Sequence, residues 1–245
     1  MTTSAEPFDE AAERDLPGFG RTVVREDELP RHNTYTRLVH WSVAIFFFAA
    51  LLSGLAIYSP WTFSWLTPLF GGGALTRALH PWFGLAFQVF FVFQFLNWFA
   101  PMTWNSGDTR WIRKIKNYVT NREGREPEDV DFFNGGQKVY FWAIAVCSVL
   151  FLITGILLWF DDTVPRWLVA VSYVIHDLAA LVMLGGLIIH IYEGTAHQPG
   201  TFRSMIDGTV TDEWARTHHP AWYRRVTGRD PDEPDEREKR EQLSK

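Results

Sequence analysis

Four long stretches of this chain are almost free of charge, and a chain with such stretches has few folds open to it. Residues 41–58, 81–107 and 139–160 contain no Asp, Glu, Lys or Arg, and residues 167–192 contain only Asp177. Each stretch approaches or exceeds the roughly 20 apolar residues that a helix needs to cross a bilayer. We therefore predict an all-α integral membrane protein, a four-helix bundle with polar segments at its ends.

The basic residues indicate how this bundle is oriented. Among the 23 Lys and Arg residues, all but Arg77 and Arg166 lie in the N-terminal tail, between the second and third spans, or after the fourth. Because Lys and Arg collect on the cytoplasmic side, we expect both termini to be cytoplasmic. Residues 1–30 are acidic and lack the basic and apolar regions of a signal peptide, so we expect no such peptide there.

Composition divides the chain into three parts. Residues 1–33 form an acidic N-terminal extension with two prolines and two glycines between positions 17 and 30, so we expect it to be flexible. Residues 34–200 contain the four spans and are predicted to form one domain. Residues 201–245 are predicted to form a cytoplasmic C-terminal helix and a charged tail.

Three local features carry structural expectations. We expect the second span to start at His80–Pro81, because a proline is tolerated in the first turn of a helix. Residues 111–116 are either a basic amphipathic helix on the inner membrane surface or an ordinary helical turn in a loop. Cys147 is the single cysteine. We expect it to pack as a small apolar residue, and the chain has no thiolate set for an iron–sulfur cluster.

Four histidines lie at the ends of the apolar stretches. His176 and His190 are fourteen residues apart in the fourth span. A helix turns 100° per residue, so these side chains share one face to within about 40° and lie some 21 Å apart along the axis. Ionisable side chains in lipid are costly and usually functional, which favours two cofactor sites on one face.

Antiparallel spans pair these histidines by level. His80 and His176 fall near the outer face, and His40 and His190 near the inner face. Each level then offers two imidazoles from different helices, as six-coordinate haem iron requires. We predict two haems b with these four residues as iron ligands. Hydrogen bonding between helices is the alternative role for a single histidine, and neither level has the three or four clustered ligands of a zinc site.

Other residues carry weaker expectations. Gly54 and Gly84 lie near the proposed ligands, and small residues there leave room for a macrocycle or let helices approach. Arg37 and Arg77 each precede a ligand by three residues and either pair with haem propionates or extend to the headgroups. Four histidines outside the spans are expected to be solvated or at a partner surface: His32, His197, His218 and His219.

Several motifs together resemble one family over roughly residues 33–226. They are Val39–Trp41, Leu79–Gly84, Asn134–Lys138, Ile175–His176, Ile188–Tyr192 and Trp214–Tyr223. This set is similar to the cytochrome b (gamma) subunit of respiratory formate dehydrogenase. The histidine motifs are shared with a wider class of dihaem quinone-reactive cytochromes, including hydrogenase and thiosulfate reductase subunits. Asn134–Lys138 and the tail motif favour formate dehydrogenase.

The resemblance implies a site and a set of partners. It implies the same two histidine pairs, and a quinone (menaquinone or ubiquinone) beside His190, Asn134, Gly136 and Gln137. Amide and backbone groups at a helix start can bind a quinone carbonyl, although Asn and Gly also suit a helix start for geometric reasons alone. It further implies an iron–sulfur subunit, a molybdenum or tungsten catalytic subunit and the bacterial inner membrane, with no nucleic-acid partner.

The function expected from these features is a membrane electron conduit. Electrons from an outer iron–sulfur subunit would pass through two haems to quinone near the cytoplasmic face, while another subunit oxidises formate. Glu193 and Tyr192 are candidates for proton delivery, although Glu193 also suits a solvated position at the membrane edge. The alternatives are the equivalent subunit of a hydrogenase or thiosulfate reductase, or an anchor without a cofactor.

Overall fold

A computed structural model describes residues 12–16, 20–24, 27–116, 120 and 127–233, the first two ranges as backbone only. The chain divides into two compact units. We call residues 35–100 and 140–197 the membrane unit. The polar unit consists of residues 1–34, 101–139 and 198–245.

Helices dominate the described residues. They are α1 (Thr34–Tyr58), α2 (Pro60–Leu66), α3 (Gly73–Trp98), α4 (Ser106–Arg113), α5 (Gly135–Trp159), α6 (Arg166–Tyr192), α7 (Arg203–Ile206), α8 (Asp212–His218) and α9 (Pro220–Thr227). Among them, α1, α3, α5 and α6 are long and apolar enough to cross a membrane. The prediction of an all-α membrane protein with four spans is confirmed.

The second span begins earlier than predicted. Helix α3 starts at Gly73, so Pro81 lies inside the helix, and the expectation that it occupies the first turn is wrong. A proline inside a membrane helix is tolerated because neighbouring helices and local adjustments satisfy the freed backbone groups. The same helix ends at Trp98, before the charge-free stretch itself ends, because the chain turns at Pro101 and Asn105 caps the next helix.

Hydrogen bonds establish the antiparallel register of the membrane unit. Asn97 on α3 donates to the Thr36 hydroxyl on α1 (3.0 Å), and His80 on α3 lies 3.0 Å from the Ser53 hydroxyl on α1. The buried core contains Cys147, as predicted for a small apolar residue. Its members are Phe87, Phe91, Ala145, Cys147, Ala179 and Met183.

Strands occur in the polar unit. Residues Ala12–Leu16 (β1) and Gly20–Val24 (β2) form an antiparallel pair. Glu28–Pro30 (β3) pairs antiparallel with Thr209–Thr211 (β4). The core here consists of Val210, Trp214, Ala215, Trp222 and Tyr223.

Part of the N-terminal extension predicted over residues 1–33 has defined contacts in the polar unit. Glu28 is buried, is ion-paired with Arg203 and accepts a hydrogen bond from the Thr209 hydroxyl (2.9 Å). Strand pairing and these bonds order residues 28–33, because they satisfy a buried carboxylate that would otherwise be costly. Residues 1–11, 17–19 and 25–26 of the predicted extension lie outside the described residues.

Candidate functional site

The outer histidine pair lies in the membrane unit between α3 and α6. The ring centres of His80 and His176 are 6.2 Å apart, with an angle of 69° between their planes. The Nδ1 atom of His80 is 3.0 Å from the Ser53 hydroxyl oxygen, which donates its own proton to the Ala49 carbonyl (2.7 Å). With the hydroxyl proton assigned to this carbonyl, the Ser53 oxygen accepts from Nδ1–H, and Nε2 of His80 carries the lone pair.

His176 has the same arrangement with a different hydroxyl. Its Nδ1 atom is 2.8 Å from Thr154 Oγ1, and that hydroxyl donates to the Leu150 carbonyl (2.6 Å). The proton of His176 is therefore also assigned to Nδ1. Both imidazoles of the outer pair have Nε2 available as a metal ligand.

The inner histidine pair lies between α1 and α6. The ring centres of His40 and His190 are 6.1 Å apart, at 50° between their planes. Tyr140 on α5 stacks on His190, with ring centres 5.1 Å apart and 16° between the planes. The Nδ1 atom of His40 is buried without a hydrogen-bond partner in the part of the chain that the structure describes.

Two glycines let neighbouring rings approach closely. A Cβ atom at Gly54 would lie 3.1 Å from Cε1 of His80, and one at Gly186 would lie 2.9 Å from the Tyr140 ring. A Cβ atom at Gly84 would meet no atom within 4 Å. Gly54 therefore lies against His80 of the outer pair.

Comparison with known proteins gives this geometry a context. The family model for prokaryotic cytochrome b561 matches residues 31–208. The chain belongs to the prokaryotic cytochrome b561 family.

Named relatives of this cytochrome b561-family chain agree with the resemblance described above. The cytochrome b556(Fdn) subunit of nitrate-inducible formate dehydrogenase from Escherichia coli K12 is 35% identical over 193 residues, covering 78% of this chain and 88% of the relative. The E. coli K12 cytochrome b556(fdo) subunit is 33% identical, covering 82% and 95%. The Haemophilus influenzae cytochrome b556 subunit is 31% identical, covering 82% and 85%. Together with the four apolar helices, family membership makes this a multi-pass protein of the bacterial inner membrane.

Membership in a cytochrome b family implies haem b, and the histidine geometry fits it. A metal–imidazole bond is about 2 Å and the ring centre lies roughly 1 Å beyond the bonded nitrogen, so two axial imidazoles have centres about 6 Å apart. The observed separations are 6.2 Å for the outer pair and 6.1 Å for the inner pair. Among the described residues no hydrogen bond joins the rings within a pair, and no group of three or more His, Cys, Asp or Glu could hold a metal ion.

Three of the residues implied for a quinone, Asn134, Gly136 and Gln137, lie in the polar unit, and the side chains of Asn134 and Gln137 cap helix α5. Asn134 Oδ1 accepts from the backbone N–H of Gln137 (2.9 Å), and Gln137 Oε1 accepts from the backbone N–H of Asn134 (2.9 Å). This reciprocal arrangement is a capping box. A quinone carbonyl accepts hydrogen bonds, so it needs donors. The amide oxygens are used in the cap, and the N–H groups of this segment are the donors that it offers.

Gly136 has a packing role that the sequence did not indicate. A Cβ atom there would lie 2.7 Å from the ring of Trp111, which is buried. Trp111 belongs to helix α4, which spans Ser106–Arg113. This helix therefore begins before the segment 111–116, for which the sequence predicted an amphipathic helix or a helical turn. Lys138 forms a buried ion pair with Asp108 (2.8 Å) at the same helix start, so this region is tightly built.

Two histidines outside the spans are buried, which contradicts the expectation that they are solvated or lie at a partner surface. His219 is 0% exposed, and its Nδ1 donates to the Asp131 carbonyl (2.6 Å) while Nε2 accepts from Arg31 (3.1 Å). His32 is buried and lies edge-on to Phe132, with ring centres 5.4 Å apart. Both histidines are buried because this part of the polar unit packs around Arg31, which is itself buried.

The guanidinium of Arg31 is enclosed by aromatic rings. Its carbon lies 4.5 Å from the ring centre of Phe132, 4.7 Å from that of Trp214 and 4.8 Å from that of Trp222. Desolvated cation–π contacts stabilise by about 2 kcal/mol. Burial lowers the pKa of Arg31 to about 9, opposed by the charge of Asp131, and Arg31 stays charged at neutral pH. Burial, and then the charge of Arg31, hold the pKa of His219 well below its usual range.

Other predicted residues have contacts of their own. Arg77 lies over the Phe63 ring at 5.4 Å, and Tyr192 stacks on His197 with ring centres 5.9 Å apart. Glu193 follows α6 in a short π-type turn. Propionate binding by Arg37 and Arg77, and proton delivery by Glu193 and Tyr192, stay predictions.

Four residues at the two levels were not predicted from the sequence. Ser53, Thr154 and Tyr140 contact the proposed ligands, and Gln94 has a buried side-chain oxygen with no partner among the described residues. A signal was present: Gln94 follows His80, and Thr154 follows Tyr140, by the same fourteen residues that separate His176 from His190. Three of the four spans therefore repeat polar residues at the same two levels.

Proposed function

We propose that this chain is the membrane-anchoring cytochrome b subunit of a formate dehydrogenase complex. It would carry electrons from an iron–sulfur subunit at the outer face, through two haems b, to a quinone near the cytoplasmic face. The observation that carries this proposal is the presence of two histidine pairs in one bundle, each with ring centres at the separation of axial ligands. The names of the relatives support formate dehydrogenase as the complex.

The residues of the chain have distinct roles in this proposal. His80 and His176 would hold the outer haem, and His40 and His190 the inner one. Haem iron, when bound, supplies reversible one-electron exchange. Both termini would lie in the cytoplasm, because nearly all basic residues fall in the segments on that side.

The core between the two histidine levels is apolar. It would separate electron transfer between the haems from proton transfer. Phe87, Phe91 and Met183 are buried on α3 and α6 between the positions of the histidines. Gln88 and Ser148, which are polar, bond to each other: the Ser148 hydroxyl donates to Gln88 Oε1 (2.6 Å) and Gln88 Nε2 donates to the Ser148 carbonyl (2.7 Å). The polar atoms of Gln88 and Ser148 are therefore bonded to each other.

Quinone binding is proposed at the start of α5, in the polar unit. Asn134 and Gln137 use their side-chain oxygens in the helix cap, which leaves amide N–H groups as the donors for a quinone carbonyl. The first backbone N–H groups of a helix, including that of Gly136, have no partner within the helix and can add to these donors. Glu193 would deliver protons from the cytoplasm, and the quinone would be menaquinone or ubiquinone.

Haem content and ligand replacement test the proposal. The chain purified in its complex should show b-type absorbance on reduction, with two haems per chain. His80→Leu and His176→Leu should each remove the outer haem only, and His40→Leu and His190→Leu the inner haem only. His218→Leu, outside the spans, is the control that should retain both. Absence of haem, or a single haem per chain, would overturn the proposal.

The assignment to formate dehydrogenase needs a separate measurement. The subunits that co-purify should include an iron–sulfur protein and a molybdenum or tungsten protein, and formate should reduce the haems of the intact complex. A nickel-containing partner would reject formate dehydrogenase in favour of a hydrogenase while leaving the two haem sites standing. Replacing Asn134 and Gln137 by Leu should raise the quinone concentration needed for turnover without changing the haem content.

A further inference from the structure

We infer that Ser53 and Thr154 are positioning residues that hold the outer haem at a lower reduction potential than the inner haem. This inference rests on the proposed haem ligation by His80 and His176. It assigns the two hydroxyls a role in setting the direction of electron flow, beyond the folding of their own helices.

Both hydroxyls are buried, and each bonds to a backbone carbonyl and to an imidazole. Ser53 is 0% exposed and Thr154 is 3% exposed. We assign the single proton of each hydroxyl to a carbonyl of its own helix, Leu150 for Thr154 (2.6 Å) and Ala49 (2.7 Å) or Ala50 (3.1 Å) for Ser53. With this assignment the hydroxyl oxygen accepts from the imidazole, and Nδ1 of each histidine carries the proton.

This arrangement leaves Nε2 of each imidazole as the nitrogen that would bind the iron. A hydrogen bond donated by one ring nitrogen fixes the tautomer and orientation of a ligating histidine and raises the basicity of the other nitrogen. A more basic axial ligand stabilises oxidised iron over reduced iron. Hydrogen bonding around the ligands is one of the ways in which a protein adjusts a haem potential, and here it lowers the outer one.

The inner pair lacks this support on His40. The Nδ1 atom of His40 is buried without a hydrogen-bond partner among the described residues, and His190 is stacked on Tyr140. His40 is therefore the less basic ligand, and the inner haem has the higher potential. Electrons entering at the outer level would move to the inner level with a favourable change in free energy.

A structural role for the hydroxyls is the competing explanation. Ser and Thr in membrane helices commonly bond back to a carbonyl one turn earlier, and both residues do so here. That role alone predicts no effect on a haem potential. The matched control is Ser42, whose hydroxyl makes the same kind of bond to the Leu38 carbonyl (2.9 Å) at an exposed position.

A redox titration of the intact complex separates the two explanations. Ser53→Ala and Thr154→Val should each shift the midpoint of the outer haem to more positive values, leave the inner midpoint unchanged, and add in the double variant. A tenfold change in the preference for oxidised iron corresponds to about 59 mV for one electron. His80→Leu identifies which optical component is the outer haem, and Ser42→Ala should shift neither.

The conservative variants keep the test decisive. If Ser53→Ala loses the outer haem, Ser53→Thr should restore it with its original midpoint, and failure to restore it would overturn the inference. Two haems with unchanged midpoints in Ser53→Ala and Thr154→Val would also overturn it, as would a shift confined to the inner haem. Absence of haem from the unaltered complex would instead refute the proposed function.

Discussion

The two histidine pairs share a separation and differ in what surrounds them. The ring centres are 6.2 Å apart in the outer pair and 6.1 Å apart in the inner pair. The outer rings each bond to a buried hydroxyl, whereas the inner pair has an aromatic neighbour and a buried ring nitrogen without a partner among the described residues. The proposed ligation rests on the separation of the rings, which is the same at both levels, whereas the surroundings of the ring nitrogens differ between the levels.

The largest expected effect removes one site and spares the other. Gly54→Val places a side chain whose Cβ would be 3.1 Å from Cε1 of His80. The Cβ atom alone would require His80 to shift by a few tenths of an ångström, and the γ carbons of valine add to this displacement. Because His80 is held between α1 and α6, we expect loss of the outer haem with retention of the inner one. The haem-to-protein ratio and the reduced spectrum of the purified complex measure this.

The control for this variant lies on α6. A Cβ atom at Gly185 would meet nothing within 4 Å, so Gly185→Val should retain both haems. Full haem content in Gly54→Val would show that the outer pair tolerates displacement of His80, and the close approach of α1 would then be unrelated to ligation.

A smaller effect should be confined to the inner level. Tyr140 stacks on His190 at 5.1 Å, and such aromatic pairs contribute about 0.5–1.5 kcal/mol beyond the area that they bury. Tyr140→Leu should therefore shift the absorption band and the midpoint of the inner haem and leave the outer haem unchanged. Spectroscopic redox titration resolves the two components.

Tyr140→Phe separates stacking from the phenol hydroxyl. The phenyl ring retains the stack, so this variant should resemble the unaltered protein in both haem midpoints. A shift as large as that of Tyr140→Leu would mean that the hydroxyl acts on the inner site, and a shift of the outer haem in either variant would contradict the separation of the two levels.

His219 extends the comparison to a histidine whose two nitrogens are both occupied by protein atoms. Asp131 and Arg31 take up its two ring nitrogens, and its environment is the aromatic cluster of the polar unit. The outer histidines offer a lone pair to a metal, whereas His219 has none to offer. Burial of an imidazole therefore does not by itself distinguish a ligand from a structural residue, while the count of bonds at its nitrogens does.

The smallest expected effect is a pH dependence of the stability of the polar unit. The pKa of His219 lies well below its usual range, so the neutral ring stabilises the folded state at neutral pH. This contribution to stability is lost as the pH falls below about 6.5, the pKa of the histidine in the unfolded chain. The folding equilibrium constant then decreases by at most about tenfold per pH unit. Protection of residues 210–223 against hydrogen exchange, corrected for the intrinsic exchange rate, should fall accordingly between pH 7 and pH 5.5.

His219→Gln should weaken this pH dependence and reduce protection at neutral pH, since it removes a buried ring that bonds Asp131 and Arg31. His218→Gln, at the neighbouring and partly exposed position, should change the pH dependence less, because burial and the charge of Arg31 lower the pKa of His219 more than His218 does. An equal pH dependence in His219→Gln would assign the effect to another group near Arg31.

Much of the membrane unit could be predicted from the sequence. Charge-free stretches of sufficient length determine spans, and an antiparallel order with histidines fourteen residues apart determines which rings meet at one level. The start of α3 was misplaced because a local rule for proline in the first turn was given more weight than the apolar residues before it. The buried His32 and His219 were missed because no local pattern marks an arginine enclosed by three aromatic rings.

The sequence by itself determined the number of spans, the two levels and the histidine pairs, because these follow from helix length and the 3.6-residue repeat. Only the tertiary structure decided which side chains support each ring. Ser53 reaches His80 across 27 residues of sequence, and Arg31 reaches His219 across 188. Such contacts depend on how each helix is rotated about its axis and packed against its neighbours, and the periodicity of a single helix does not contain that information.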